Sequence, residues 1–293
     1  MIETIEDVER FMSKNRYICD RELATAIFLA IKLKKPLFLE GEAGVGKTEV
    51  AKVLSGGLKR ELIRLQCYEG LDANTALYEW NYSKQLLGIR LHEINKCDVD
   101  SLGNIFSEEY LIRRPLLQAI QHEAKDEHVV LLIDELDRAD EEFEAFLLEL
   151  LSDFQVTIPE IGTIMARDIP LVILTSNRTR EVHDAIKRRC LYHWIDYPSV
   201  EKELHILEAK IPGINDHMAE QICRFMQEIR SEDFLKKPGV AETLDWAQAL
   251  MVLHRDHLDE ETIRETMGCI LKYREDQNRL LDQIPEMFQA ACF

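Results

Sequence analysis

The chain has 293 residues and a mass of 34.1 kDa, room for one large domain or two ordinary ones. With 46% hydrophobic residues, 12 glycines and 8 prolines it is neither a disordered nor a collagen-like polymer. Its formal charge of -18, from 36 basic and 54 acidic residues, repels phosphate backbones and anionic lipid, which argues against non-specific nucleic-acid or membrane binding.

The acidity is densest at the C-terminal end, where residues 199–293 carry 11 basic and 19 acidic side chains. Seven cysteines are spread too widely for a CxxC metal knuckle or a disulfide framework, as expected in a reducing compartment. The first residues, Met1-Ile-Glu-Thr-Ile-Glu-Asp, are acidic where a secretion signal is basic and then apolar. A cytoplasmic protein without membrane insertion is expected.

Along the chain, Asp20 is placed to cap a helix through Leu23, Ala26, Ile27, Ala30 and Ile31, which Pro36 stops. Apolar runs at Leu37–Leu39, Leu62–Cys67, Val129–Ile133 and Leu171–Thr175 read as buried strands, and Leu191–Ile195 as a weaker fifth. Helical patterns separate them at Lys47–Leu58, Pro115–Glu127, Glu141–Asp153 and Val182–Arg188. Strand and helix in alternation imply a parallel sheet flanked by helices. After Pro198 only helical periodicity remains, as in Ile222, Phe225, Met226 and Ile229, so residues 1–198 and 199–293 are expected to be an α/β domain and an all-helical domain.

Gly41-Glu-Ala-Gly-Val-Gly46-Lys47-Thr48 matches GxxxxGK[ST], between a strand and a helix. Glycines let backbone N–H groups converge on phosphate oxygens, the helix N-terminus adds positive potential, the lysine neutralises the β- and γ-phosphates, and the threonine hydroxyl ligates Mg²⁺. Gly41, Glu42, Ala43, Gly44, Val45, Gly46, Lys47, Thr48 and Glu49 are therefore the candidate residues for ATP. His128-Val-Val-Leu-Leu-Ile-Asp134-Glu135 is an apolar strand ending in two carboxylates, the Walker B pattern: Asp134 for Mg²⁺, together with Thr48, and Glu135 as general base toward the attacking water. Asn177, closing Leu171-Val-Ile-Leu-Thr-Ser-Asn, is placed to orient that water. Arg188 and Arg189, between a short helix and a strand, offer an arginine finger to a neighbouring subunit.

These elements in this order, with a helical region behind them, resemble the AAA+ ATPases and in particular the MoxR family. Leu65-Gln-Cys-Tyr-Glu-Gly70, Tyr78-Glu-Trp-Asn-Tyr82, Ile133-Asp-Glu-Leu-Asp-Arg-Ala139, Thr175-Ser-Asn-Arg-Thr-Arg-Glu181 and Arg188-Arg-Cys-Leu-Tyr-His-Trp-Ile-Asp-Tyr-Pro198 are similar to the branch found in carbon monoxide dehydrogenase maturation clusters. The resemblance implies a P-loop core with a parallel five-stranded sheet in the order 5-1-4-3-2, a C-terminal helical lid, and a homo-oligomeric ring, usually a hexamer. It further implies an ATP-hydrolysing chaperone that works with a von Willebrand factor A domain partner on a metalloenzyme client. Arg189 matches the family's finger position. An insertion within Asn74–Arg114 and a hairpin at Phe154–Ile164 are also implied. The chain departs from the family at Pro238-Gly-Val-Ala-Glu-Thr243, where many members carry a sensor arginine, leaving Lys236 or Lys237 as its substitute or a lid that senses nucleotide differently.

Other signals are weaker. Asn95-Lys-Cys-Asp98 fits the guanine-reading NKxD, yet no DxxG precedes it after the phosphate loop. His254 and His257 share a helical spacing without a third metal ligand, Tyr78, Trp80 and Tyr82 read as packing residues or a docking patch, and the acidic run Asp134–Glu144 reads as partly catalytic and otherwise a solvated helix face. The alternative function is a AAA+ ATPase that remodels nucleic acid, against which the charge of -18 argues.

Overall fold

The computed structural model describes residues 2–95, 105–122 and 129–292; Lys96–Asp98 of the NKxD string and His128 lie outside them, and the helix expected over Pro115–Glu127 ends earlier, at Ile120. Helices α1 (Ile5–Lys14) and α2 (Arg21–Leu33) precede β1 (Leu37–Gly41), α3 (Lys47–Leu58) and β2 (Leu62–Gln66). Then come α4 (Ala73–Ala76), β3 (Tyr78–Trp80), α5 (Tyr82–Asn95), β4 (Leu111–Arg113) and α6 (Pro115–Ile120). The second half of the α/β region is β5 (Val130–Asp134), α7 (Glu141–Asp153), β6 (Gln155–Ile158), β7 (Gly162–Met165), β8 (Leu171–Ser176), α8 (Asp184–Lys187) and β9 (Leu191–Ile195). Five helices follow: α9 (Val200–Lys210), α10 (Asp216–Ser231), α11 (Val240–Val252), α12 (Glu260–Thr266) and α13 (Arg274–Cys292).

Five strands make one sheet in the order β2-β5-β8-β1-β9, which is 2-3-4-1-5 when these strands alone are numbered along the chain. The pairs β2–β5, β5–β8 and β1–β8 are parallel. β5 and β8 lie inside the sheet and every residue of both is buried, which is why they read as unbroken apolar runs. β2 corrects that reading: it is an edge strand, with Ile63 and Leu65 buried and Arg64 and Gln66 exposed. Two small antiparallel pairs, β3–β4 and β6–β7, stand apart from this sheet, inside the segments expected to hold an insertion and a hairpin.

By compactness the chain forms two units that no single cut at Pro198 produces: residues 25–40 with 54–193, and residues 1–24 with 41–53 and 194–293. The first unit is built around Phe38, Leu131, Ile133, Leu147, Val172 and Leu174. Trp80 joins this core and meets Tyr78 and Phe106 edge-on at 5.9 and 5.3 Å, whereas Tyr82 is 63% exposed; two members of the aromatic cluster pack and the third faces solvent.

The second unit packs α9–α13 around Ile222, Phe225, Met226, Ile229 and Trp246, whose indole N–H donates to Thr266 Oγ1 at 2.7 Å. Side-chain caps define its helix starts: Ser199 on α9, Asn215 on α10 and Asp259 on α12. Asp20 accepts from the Leu23 amide at 2.8 Å and pairs with Lys202 at 2.7 Å. Among the described residues no helix is long and apolar enough to cross a membrane.

At the centre of this unit the Arg230 guanidinium forms a two-pronged bond to Glu203, at 2.6 and 2.7 Å, with both side chains almost wholly buried. Arg230 also donates to Pro238 O and Thr243 Oγ1 and stacks over the Tyr197 ring. Removing one partner of such a pair strands a buried charge, so Arg230→Met is expected to lower the unfolding free energy by about 3–5 kcal/mol in urea titration. Arg230→Met combined with Glu203→Leu is expected to recover most of that loss.

Candidate active site

The phosphate loop leaves β1 and feeds α3. Gly44 and Gly46 hold φ of +78° and +95°, values that L side chains rarely adopt, and these two residues bend the loop so that it ends at the α3 N-terminus. Lys47 is 5% exposed, and its ammonium donates to Gly41 O at 2.8 Å and Glu42 O at 2.5 Å, folding the side chain back over the loop. Glu49, in the first turn of α3, pairs with Lys210 at 2.7 Å. The Tyr17 ring lies against Gly46, where an added Cβ would stand 3.7 Å from it, and desolvation pushes the Tyr17 hydroxyl pKa well above its ordinary value. A loop with this bend, a lysine and a hydroxyl at a helix start fits the triphosphate of a nucleotide and its Mg²⁺.

The carboxylates sit at the carboxyl end of the sheet. Asp134 ends β5 and is 1% exposed. Its Oδ1 accepts from the Thr175 hydroxyl at 2.6 Å, while its Oδ2 accepts from Arg64 Nε at 3.0 Å and Nη2 at 2.6 Å. Thr175 also accepts from the Glu135 amide at 2.9 Å, so one hydroxyl holds both acidic residues in register with β8. Glu135 adopts a left-handed backbone (φ +55°, ψ +51°), which turns the chain sharply off the strand. Its carboxylate accepts from Gln66 Nε2 and Arg138 Nε, each at 3.0 Å, and from Asn177 Nδ2 at 3.5 Å. The structure thus brings Asp134, Glu135 and Asn177 together.

Beyond the pair the acidic run Asp134–Glu144 divides: Asp140, Glu141 and Glu142 are exposed, as expected of a solvated face, whereas Asp137 and Glu144 are buried. Asp137 is 2% exposed and accepts from the Asn177 amide, the Thr179 amide and the Thr179 hydroxyl, tying the end of β8 to the turn after β5. Glu144 is 1% exposed, accepts from Arg180 and from the His183 amide at 2.7 Å, and anchors the chain leading into α8. Burial of a carboxylate requires such donors, and the donors come from segments some forty residues away in sequence.

Arg189 is half-buried, with its guanidinium on Ser152 Oγ and on Ala185 O at 2.9 Å. Arg188 is exposed. Glu40, at the end of β1, is 3% exposed and takes hydrogen bonds from Ser176 Oγ at 3.3 Å and the Tyr192 hydroxyl at 2.9 Å. Desolvation, then that bond to Glu40, pushes the Tyr192 hydroxyl up to about 12. Reading the sequence for motifs missed Arg64, Gln66, Thr175, Asp137 and Glu40 as partners. The alternation Ile63-Arg64-Leu65-Gln66 was the available signal for the first two, since it marks a strand with one open face.

These features define a P-loop nucleotide-binding protein of the AAA+ ATPase class. The chain belongs to the AAA domain family, dynein-related subfamily, whose model matches residues 36–190, more than half of its length. Two staphylococcal relatives are similar over about three quarters of the chain. The uncharacterized protein SH1500 of Staphylococcus haemolyticus is 26% identical over 75% of this chain and 78% of its own. SSP1341 of Staphylococcus saprophyticus is 24% identical over 76% and 78%. A RuvB mutant from Thermotoga maritima shares the fold at a TM-score of 0.50 and 16% identity, covering 98% of this chain and 79% of its own.

Cys67 donates its amide to Asp134 O at 2.8 Å and is 1% exposed; burial first, then the carboxylates of Asp134 and Asp137, push its thiol up to about 12. Burial does the same to Cys190, also to about 12. A raised thiol pKa means that the neutral, unreactive form prevails at pH 8. Iodoacetamide at pH 8 is therefore expected to leave Cys67 and Cys190 unlabelled in the native protein and to label both in urea, read by peptide mass spectrometry.

Proposed function

We propose that the chain is an ATP-hydrolysing chaperone of the MoxR type. It binds ATP with Mg²⁺ and uses hydrolysis to remodel a protein client, a metalloenzyme or oxidoreductase in maturation or reactivation, together with a von Willebrand factor A domain partner. The observation that carries the catalytic part is Glu135, set directly after the buried Asp134 and held between Asn177, Gln66 and Arg138. A carboxylate held between those donors is placed to act as a base toward a water molecule.

In this reading the loop Gly41–Thr48 would cradle the phosphates with Lys47 offsetting their charge, and Thr48 and Asp134 would be the residues that hold Mg²⁺, a cation that when bound supplies charge neutralisation to the phosphate oxygens. Asn177 orients the water that Glu135 deprotonates. Arg189, or the exposed Arg188 beside it, completes the site of the next subunit in a homo-oligomeric ring, a hexamer by resemblance. The charge of -18 and the lack of a basic stretch after Pro198 support a protein client over nucleic acid.

Glu135→Gln is expected to cut phosphate release about 10²–10⁴-fold while ATP binding persists, the size of a general-base contribution. Unchanged turnover would refute the base. Arg188→Ala and Arg189→Ala, compared side by side, are expected to show a large loss of turnover for one of them, about 10³-fold or more, with ATP binding by the isolated subunit intact. ATPase stimulation by DNA or RNA that fades with salt would favour the nucleic-acid alternative, and a von Willebrand-type protein retained by the Glu135→Gln trap would support the chaperone.

A further inference from the structure

The head of α11, where the family's sensor arginine is missing, lies against the phosphate loop. A Cβ on Gly239 would stand 2.7 Å from Ala43 O, 2.7 Å from Gly44 Cα and 2.9 Å from Gly44 C, so the two backbones touch and only glycine fits between them. The Ala241 amide donates to Gly44 O at 3.2 Å, and Glu242 Oε2 accepts from the Gly239 amide at 2.9 Å. Both flanks of Gly239 are fixed from below. Pro238 O accepts from Arg230 at 2.9 Å, and the Thr243 hydroxyl bonds Gly239 O at 3.1 Å and Glu203 at 2.6 Å. The loop is thereby referenced, through one glycine, to a buried network joining α9, α10 and α11.

We propose that Gly239, set by the Arg230–Glu203–Thr243 network, is the positioning residue of the phosphate loop. Through this backbone contact nucleotide binding is transmitted to the first turn of α11. The inference rests on the ATP reading above and deepens it. A nucleotide that reshapes the backbone of Ala43–Gly44 must move or stiffen the first turn of α11, because a direct backbone contact has no side chain to absorb the change.

The test is titration of the full chain with the fluorescent nucleotide mant-ADP, with hydrogen exchange of the α11 amides at saturating ADP. Gly239→Ala is expected to bind at least about tenfold more weakly, while Gly56→Ala, a site where a Cβ meets nothing within 4 Å, binds as the parent does. Thr243→Val, which loses the hydroxyl, is expected to weaken binding and to lose the ADP-induced slowing of exchange at Val240–Thr243; Thr243→Ser restores both. The exchange readout at saturation separates positioning from general destabilisation, and the Thr243 pair decides the matter if Gly239→Ala does not fold. Parental affinity in Gly239→Ala, or ADP leaving α11 exchange untouched in the parent, would overturn the proposal with the ATP reading intact. A parent that fails to bind mant-ADP would overturn both.

Discussion

A carboxylate removed from water costs several kcal/mol unless donors replace the lost hydration, and the buried carboxylates among the described residues include Glu40, Asp134, Asp137, Glu144 and Glu203. The arrangement around each follows from that cost. Thr175 and Arg64 are drawn to Asp134, Asn177 and Thr179 to Asp137, Arg180 and the His183 amide to Glu144, Ser176 and Tyr192 to Glu40, and Arg230 with Thr243 to Glu203. Each donor comes from a segment of the chain other than the element carrying the acid. The requirement to satisfy buried charge therefore acts as a set of crosslinks between elements.

Those crosslinks also make the candidate site. Thr175 serves Asp134 with its hydrogen and Glu135 with its lone pair, so the geometry of the acidic pair is set by a side chain of the neighbouring strand. Asp137 fixes the backbone of Asn177 and Thr179, which presents the Asn177 amide group to Glu135. Structural and chemical roles are thus divided among adjacent carboxylates: Asp137 and Glu144 are consumed in holding the frame, leaving Asp134 and Glu135 at the carboxyl end of the sheet where open α/β folds bind ligands.

Much of this was legible before the tertiary structure. The helices Lys47–Leu58 and Glu141–Asp153 and the strand Leu191–Ile195 fall at the expected residues, because caps, breakers and apolar runs act locally. Val182–Arg188 shrank to Asp184–Lys187, since the His183 amide is taken by Glu144 and the segment before it is tied down. The run Leu62–Cys67 reads as a buried strand, whereas the strand formed, Leu62–Gln66, is an edge whose Arg64 and Gln66 are exposed, as their alternation with Ile63 and Leu65 indicates. Proximity in sequence also misled in the acidic run, where Asp137 and Glu144 looked solvated because their donors lie about forty residues further on.

Sequence alone determined the phosphate loop, the acidic pair and the alternation of strand and helix, since each is a short string whose chemistry is complete within a few neighbours. Tertiary structure alone decided which acids are buried, which strand is the edge, and that Gly239 meets Gly44 across nearly two hundred residues of chain. The physical reason is the range of the forces. Backbone conformation and motif chemistry are set by adjacent residues, whereas desolvation and van der Waals contact depend on whatever the folded chain brings within a few ångströms.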